Sequence, residues 1–281
     1  MANPVCQGLG YGLLISCTLT TVASAAELSP AGADTALVEL HRQVSLAGGA
    51  SYLDHDETIG ERREHDRGWL PQVRASGGWL FDNGLFLEAG AAYSFGETDY
   101  GLSGADAPRN ERDSDNDLVS TYGKFGFSAA ASDRVLITPY LSYGYQHWQR
   151  DISYGIDYRR DYDTHFLGGG VLADIGIVHN LIASIDLMGA STFANEQTLD
   201  IQAPGFATLN VSSDNAPLAR AELSLDYLLA PHVHVFSAAR YTYVSRHAPE
   251  RADVATSSQA LAHYDSDTHE VNLNAGLRLT F

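Results

Sequence analysis

The sequence predicts an all-β chain: a transmembrane antiparallel up-and-down β-barrel of ten strands, with twelve as the alternative. Three observations carry this. From about residue 37, apolar and polar residues alternate with period two, ten times over. The connections alternate short and long. Charges within the alternating segments fall on the polar face, while the apolar face carries aromatics at both ends. A soluble two-sheet protein would also alternate. It would have no reason to keep its long connections at one end or to build two aromatic girdles.

The segments follow in order. Near 42–54, Val44, Leu46, Gly48, Ala50 and Tyr52 share one face and Gln43, Ser45, Ala47, Gly49 and Ser51 the other. Near 69–81, Trp69, Val73, Ala75 and Trp79 oppose Gln72, Arg74 and Ser76. Asp82-Asn83-Gly84 then makes a tight turn, since Asn-Gly suits the positive φ of a hairpin. Leu85, Leu87, Ala89, Ala91, Tyr93 and Phe95 oppose Phe86, Glu88, Gly90, Ala92 and Ser94. Near 118–130, Val119, Phe125 and Phe127 oppose Ser120, Tyr122, Lys124 and Ser128. A turn at 131–134 leads to Val135, Ile137, Pro139, Leu141, Tyr143 and Tyr145, opposed by Thr138, Tyr140, Ser142, Gly144 and Gln146.

The second half repeats the pattern. Leu167, Val171, Ala173 and Ile175 oppose Gly168, Gly170 and Asp174, and Ala183, Ile185, Leu187 and Gly189 oppose Ser184 and Asp186. Ala219, Ala221, Leu223, Leu225 and Tyr227 oppose Arg220, Glu222, Ser224 and Asp226. Val233, Val235, Ala239, Tyr241 and Tyr243 oppose His234, Arg240 and Thr242. Val271, Leu273, Ala275, Leu277, Leu279 and Phe281 close the chain against Asn272, Asn274, Gly276, Arg278 and Thr280. Short connections fall near 82–84, 131–134, 176–180 and 229–232, and long ones near 55–67, 97–117, 151–163, 194–215 and 246–266. The segment at 194–215 holds a further alternating patch around Pro204-Gly205. It reads as the hairpin continuing beyond the membrane, or as a hairpin that makes twelve strands.

Composition narrows the function. The chain has 281 residues, 35 acidic and 17 basic side chains, and a net charge of -18. An acidic chain lacks the basic footprint that phosphate backbones need, so nucleic acid is not an expected partner. No run approaches the ~20 apolar residues of a membrane helix. The two cysteines, Cys6 and Cys17, lie in an apolar leader, Gly8 to Val22, followed by Ala23-Ser24-Ala25-Ala26. This is a secretory pattern with cleavage expected after Ala25 or, second, Ala26. It lacks a basic front, since no Lys or Arg precedes Arg42. Leu14-Ile15-Ser16-Cys17 also resembles a lipoprotein box. The expected plan is a signal peptide over 1–25, a short periplasmic segment over 26–36 and the barrel over 37–281. The mature chain would then hold no thiol for catalysis, zinc or disulfides.

Ten charges are expected to face the lumen: Arg74, Glu88, Lys124, Asp174, Asp186, Arg220, Glu222, Asp226, Arg240 and Arg278. Facing lipid at mid-depth, each would cost roughly 2–4 kcal/mol. In a narrow barrel they are expected to pair into a plug, with a small polar pore as the alternative. Trp69, Tyr93, Tyr143, Tyr145, Tyr241 and Tyr243 are expected at one membrane interface, and Trp79 and Tyr227 at the other.

The closing segment, Val271 to Phe281, resembles the C-terminal strand of bacterial outer-membrane β-barrel proteins. The resemblance implies an outer-membrane location and contact with lipid and lipopolysaccharide. It also implies insertion by the barrel-assembly machinery, helped by periplasmic chaperones, with Leu277, Leu279 and Phe281 as the signal. Asp163-Thr164-His165 and Asp54-His55-Asp56 resemble the rim residues of omptin proteases, which are ten-stranded, although no wider omptin-like sequence surrounds them. A further alternative is an autotransporter translocator, for which no passenger is expected ahead of residue 37. Asp267/His269 repeats the acid–histidine spacing.

Other motifs read less specifically. Asp113-Ser-Asp115-Asn-Asp117 resembles the opening of a calcium loop without its Gly and closing Glu. It lies in a segment, 97–117, rich in carboxylates: Glu97, Asp99, Asp106, Glu111, Asp113, Asp115 and Asp117. Arg62, Arg63 and Arg67 could touch lipopolysaccharide phosphates or pair with Glu61, Glu64 and Asp66. His232 and His234 share a face at a strand start. No catalytic residue, metal or cofactor is expected; the expected role is structural or surface-interactive, with small-solute passage second.

Overall fold

The computed structural model describes residues 30–59, 62–103, 111–154, 156–201, 208–246 and 264–281. The expected signal peptide, both cysteines, Asp106, Glu61 and the tips of the long connections lie outside these residues.

A 3-10 turn at Pro30–Gly32 and a short helix, α1 (Thr35–Leu40), precede the strands. The Asp34 side chain caps α1 by accepting from the Ala36 amide at 3.2 Å. The strands are β1 (Gln43–Ile59), β2 (Arg62–Leu80), β3 (Leu85–Ser103), β4 (Glu111–Phe127), β5 (Ala129–Ser132), β6 (Val135–Tyr154), β7 (Ile156–Val178), β8 (Leu181–Ile201), β9 (Leu209–Ser213), β10 (Pro217–Ala230), β11 (Val233–Arg246) and β12 (Tyr264–Thr280). Ten of them form an antiparallel ring in the order β1, β2, β3, β4, β6, β7, β8, β10, β11, β12. β12 closes onto β1, from Val44↔Leu279 up to Ile59↔Tyr264. β5 pairs only with β6, and β9 folds back on β8, Leu199↔Leu209, above the ring. The patch at 194–215 is therefore a projecting hairpin, and the ring has ten strands rather than twelve.

The two faces divide as the alternation requires. The outward face is apolar and exposed, with Leu46 at 66%, Leu141 at 64% and Leu167 at 56%. Such a belt is stable only against acyl chains. Trp69, Tyr93, Tyr143 and Tyr241 stand exposed toward the long connections, and Trp79, Tyr227 and Phe281 toward the short turns. At the short turns Gly84 (φ 86°) and His232 (φ 64°) take left-handed backbone.

The strands are longer than the alternation suggests. A membrane crossing needs about 9–11 residues, yet β7 has 23 and β8 has 21. The segments expected as long loops at 55–67, 97–117 and 151–163 are mostly strand: β1 pairs with β2 out to Ile59↔Arg62, and β6 with β7 out to Tyr154↔Ile156. The barrel wall thus continues well above the upper girdle. It is lower at β10 and β11, with 14 residues each.

Candidate functional site

The lumen is occupied at three levels, each built by inward side chains of strands that are distant around the ring.

At the short-turn end α1 lies inside the barrel. Its Leu37 and Leu40 are buried with Leu80, Phe86, Leu136, Leu172 and Ile182. A six-residue helix has little stability alone; this burial and its anchors hold it. His41 Nε2 lies 2.8 Å from Asp174 Oδ2, Arg42 donates to the Leu80 carbonyl at 2.8 Å and pairs with Asp82, and the Asp34 amide donates to the Asp133 carbonyl. Beside it Asp226 holds His234 at 2.5 Å and Arg278 at 2.9 Å. His234 is thus turned into the wall while His232 stays on the exposed turn, so the two histidines share no site. The segment expected as a short periplasmic tail over 26–36 contains the start of this helix.

At mid-depth two charge clusters bridge the lumen. Arg74 on β2 reaches Glu222 on β10 at 2.9 Å, and Arg240 on β11 meets the same carboxylate at 2.5 Å. Register sets Arg240 opposite Glu222, while Arg220 faces Thr242, its hydrogen-bond partner at 3.3 Å. Lys124 on β4 contacts Asp186 on β8 at 2.7 Å and Glu88 on β3 at 3.3 Å. Tyr122 and Tyr140 fill the space between, donating to Glu88 and Asp186. Both rings fold over cross-strand glycines. A Cβ on Gly90 would come within 2.7 Å of the Tyr122 hydroxyl oxygen, and one on Gly170 within 2.5 Å of that of Tyr140. All ten lumen charges lie in these two lower levels. The space left between α1 and the charge clusters is about 60 Å³, room for a few waters.

The third level stands above the girdle and was not legible as a site. His55 and Glu57 on β1, Glu64 and Asp66 on β2, Arg150 on β6 and Arg160 on β7 all point inward and are buried. Arg160 Nη1 lies 2.9 Å from Glu57 and 3.0 Å from Glu64. β1 and β7 are on opposite sides of the ten-strand ring, so this pair pins the two walls together. Arg150, fully buried, donates to Asp66 through Nε at 3.0 Å, holds its Nη2 2.9 Å from the same carboxylate oxygen as an ion pair, and lies over the Trp148 ring. His55 stacks edge-on against Trp148 and bonds Thr268 at 2.9 Å. Leu53, Leu70, Leu118, Trp148 and Tyr162 form an apolar layer in the same upper region of the lumen.

This level is expected to lose stability as pH falls. Burial pushes the His55 pKa below its ordinary 6.5, against the pull of the Glu57 carboxylate 3.6 Å away. Burial would push Glu57 up, but the Arg160 guanidinium and the His55 contact hold it at about 2. In both cases the unfolded chain binds more protons than the folded one, so stability falls as pH falls. The loss begins below 6.5 for His55 and runs from about 4.5 toward 2 for Glu57. Amide hydrogen exchange over 150–162, corrected for intrinsic rate, is expected to accelerate from pH 7 to pH 5 while the membrane belt stays protected. Equal protection at the two pH values would refute the coupling.

The outward face settles the rim pairs. Asp54 and Asp56 face outward on β1 and bind Arg67 at 2.6 and 3.1 Å, with Arg63 on Asp56 at 3.5 Å. The partners of Arg63 and Arg67 are thus Asp54 and Asp56, not Glu64 and Asp66, which face inward. Asp163 and His165 face outward on β7, half the ring away, where Tyr145 and His147 bond Asp163 and Tyr143 bonds His165. Two outward pairs on opposite walls cannot meet around one substrate. Asp113, Asp115 and Asp117 lie on extended strand β4 rather than in a loop that could wrap an ion. No cluster of metal-binding groups occurs among the described residues.

No protein-family model and no curated protein sequence matches this chain. Solved structures do. The outer-membrane protease OmpT from Escherichia coli superposes with a TM-score of 0.68 at 8% identity, over 85% of this chain and 96% of that one. The translocator domain of the autotransporter NalP from Neisseria meningitidis matches at 13% identity, 85% and 88% coverage and a TM-score of 0.37. The Pseudomonas putida toluene transporter TodX matches at 9%, 85%, 90% and 0.34. At 8% identity the OmpT likeness is one of fold, and in fold this chain is a closed ten-stranded β-barrel of the kind found among bacterial outer-membrane proteins.

Proposed function

We propose that the protein is a non-conducting integral outer-membrane barrel whose role is structural or surface-interactive, carried by the tall β-wall above the upper girdle. The observation that supports this best is the set of ion pairs crossing the lumen at separate heights: Arg74–Glu222 and Lys124–Asp186 at mid-depth, and Arg160–Glu57 above. Side chains paired across the lumen and desolvated leave no path for a solute larger than water. The outer wall is acidic: Glu97 pairs in register with Asp115, and Asp115 with Asp151. Such a surface repels anions and favours cationic or neutral partners.

The same proposal includes export by residues 1–25 and chaperone escort through the periplasm. The barrel-assembly machinery would read Leu277, Leu279 and Phe281, which face outward where β12 meets β1. A rim protease finds no support in the geometry of the Asp54/Asp56 and Asp163/His165 pairs. In planar lipid bilayers the purified protein is expected to give no discrete conductance steps. Steady openings of nanosiemens order would make it a channel instead.

A further inference from the structure

Two tripeptides of the chain are identical, Asp163-Thr164-His165 and Asp267-Thr268-His269. Each is preceded on the neighbouring strand by Tyr-x-Tyr, Tyr143/Tyr145 on β6 and Tyr241/Tyr243 on β11. Register brings them together identically: Tyr145↔His165 and Tyr243↔His269.

The tyrosine contacts are the same twice, while the first copy adds His147 on Asp163 and Phe193 against His165. The Tyr143 hydroxyl lies 2.8 Å from His165 Nδ1, and that of Tyr241 lies 2.7 Å from His269 Nδ1. The Tyr145 hydroxyl donates to Asp163, and that of Tyr243 donates to Asp267 at 2.9 Å. Each imidazole has two tyrosine neighbours, with centroids at 6.0 and 5.0 Å in one copy and 6.1 and 4.9 Å in the other. The central threonines face the opposite way and bond the lumen groups: Thr268 to His55 and Thr164 to Arg246. Each tripeptide is therefore fixed from inside while its Asp and His are displayed outside, at the upper aromatic girdle.

A lone aromatic belt needs neither the histidine nor the aspartate. With Nδ1 engaged by a tyrosine, the second ring nitrogen of both histidines has no hydrogen-bond partner among the described residues. Half-exposed tyrosine rings, a carboxylate and an imidazole nitrogen together match a sugar: ring faces pack its C–H groups, and the Asp and His bond its hydroxyls, which both donate and accept. They do not match a bare phosphate, because each clamp holds an Asp and, among the described residues, no Lys or Arg bonded to its Tyr, His or Asp in the contacts above. Nor do they match a metal ion, since no cluster of three metal-binding side chains forms there among the described residues.

We propose that the two Tyr-His-Asp clamps bind sugar hydroxyls of the outer-leaflet glycolipid at two points on the barrel circumference. This rests on the outer-membrane placement above. The test is a titration of the purified full chain in detergent with core-bearing lipopolysaccharide, with lipid A carrying phosphates but no core sugar, and with inorganic phosphate. The core-bearing form is expected to bind about tenfold or more tightly than lipid A, with inorganic phosphate inert. The double variant His165→Ala/His269→Ala is expected to lose that preference. His165→Gln/His269→Gln, which keeps a donor at each site, retains most of it. Heat-modifiable gel mobility verifies that each variant is folded. Equal binding of lipid A and the core-bearing form by the wild-type chain, or an unaltered preference in the double alanine variant, overturns the proposal. Silent bilayers alongside either result would leave the closed-barrel reading standing, so the two are separable.

Discussion

Glu222→Ala is expected to destabilise the barrel by about 3–5 kcal/mol, the cost of stranding buried charges without their partner. Glu222 is the shared acceptor for Arg74 and Arg240, at 2.9 and 2.5 Å. Removing it leaves two guanidiniums facing one another, with Arg220 nearby on the same strand as the lost acid. The loss would be read by denaturant unfolding in lipid vesicles, followed by tryptophan fluorescence. Replacing all three by apolar residues of similar volume, Arg74→Met/Glu222→Leu/Arg240→Met, is expected to recover most of the loss, because neither Arg74 nor Arg240 is then left without its carboxylate. A change below about 0.5 kcal/mol for Glu222→Ala would mean that water reaches the cluster freely. That result would contradict a closed lumen as directly as a conductance trace.

Arg150→Met is expected to cost a similar 3–5 kcal/mol, but with a different distribution. Arg150 is fully buried, donates to Asp66 through Nε with Nη2 in ion-pair contact, and lies over the Trp148 ring at 4.9 Å. Without it the Asp66 carboxylate keeps, among the described residues, the Thr98 hydroxyl. The affected residues stand above the girdle, so the belt should stay folded while the upper wall opens. Added protease should cut the variant within the upper parts of β2, β6 or β7 and leave the wild-type chain intact, both retaining heat-modifiable mobility. Adding Asp66→Asn to Arg150→Met should restore most of the protection. Resistance of the single variant would show that the upper wall is held by its hydrogen-bond ladder alone.

The residues alone established the face of each strand and the two girdles, while the count stood at ten or twelve until β9 was placed against β8 above the ring. Wherever one face meets lipid and the other a packed interior, every second residue is forced to be apolar, and Val271 to Phe281 displays this residue by residue. They also placed Arg74, Lys124, Glu222 and Arg240 on one surface, since a charge on the other would be untenable. The same reasoning fails above the girdle. There the wall has water outside and a charged filling inside, so 55–67 and 151–163 carry no apolar rhythm and look like loop. Only the ring closure decided that Asp54 and Asp163 stand on opposite walls, and that Glu57 and Arg160, a hundred residues apart, meet across the lumen. Alternation reports which side a residue faces, because neighbours along a strand impose it. Which side chains then touch depends on strand order and on how far the walls approach, and neither is written into any local stretch of chain.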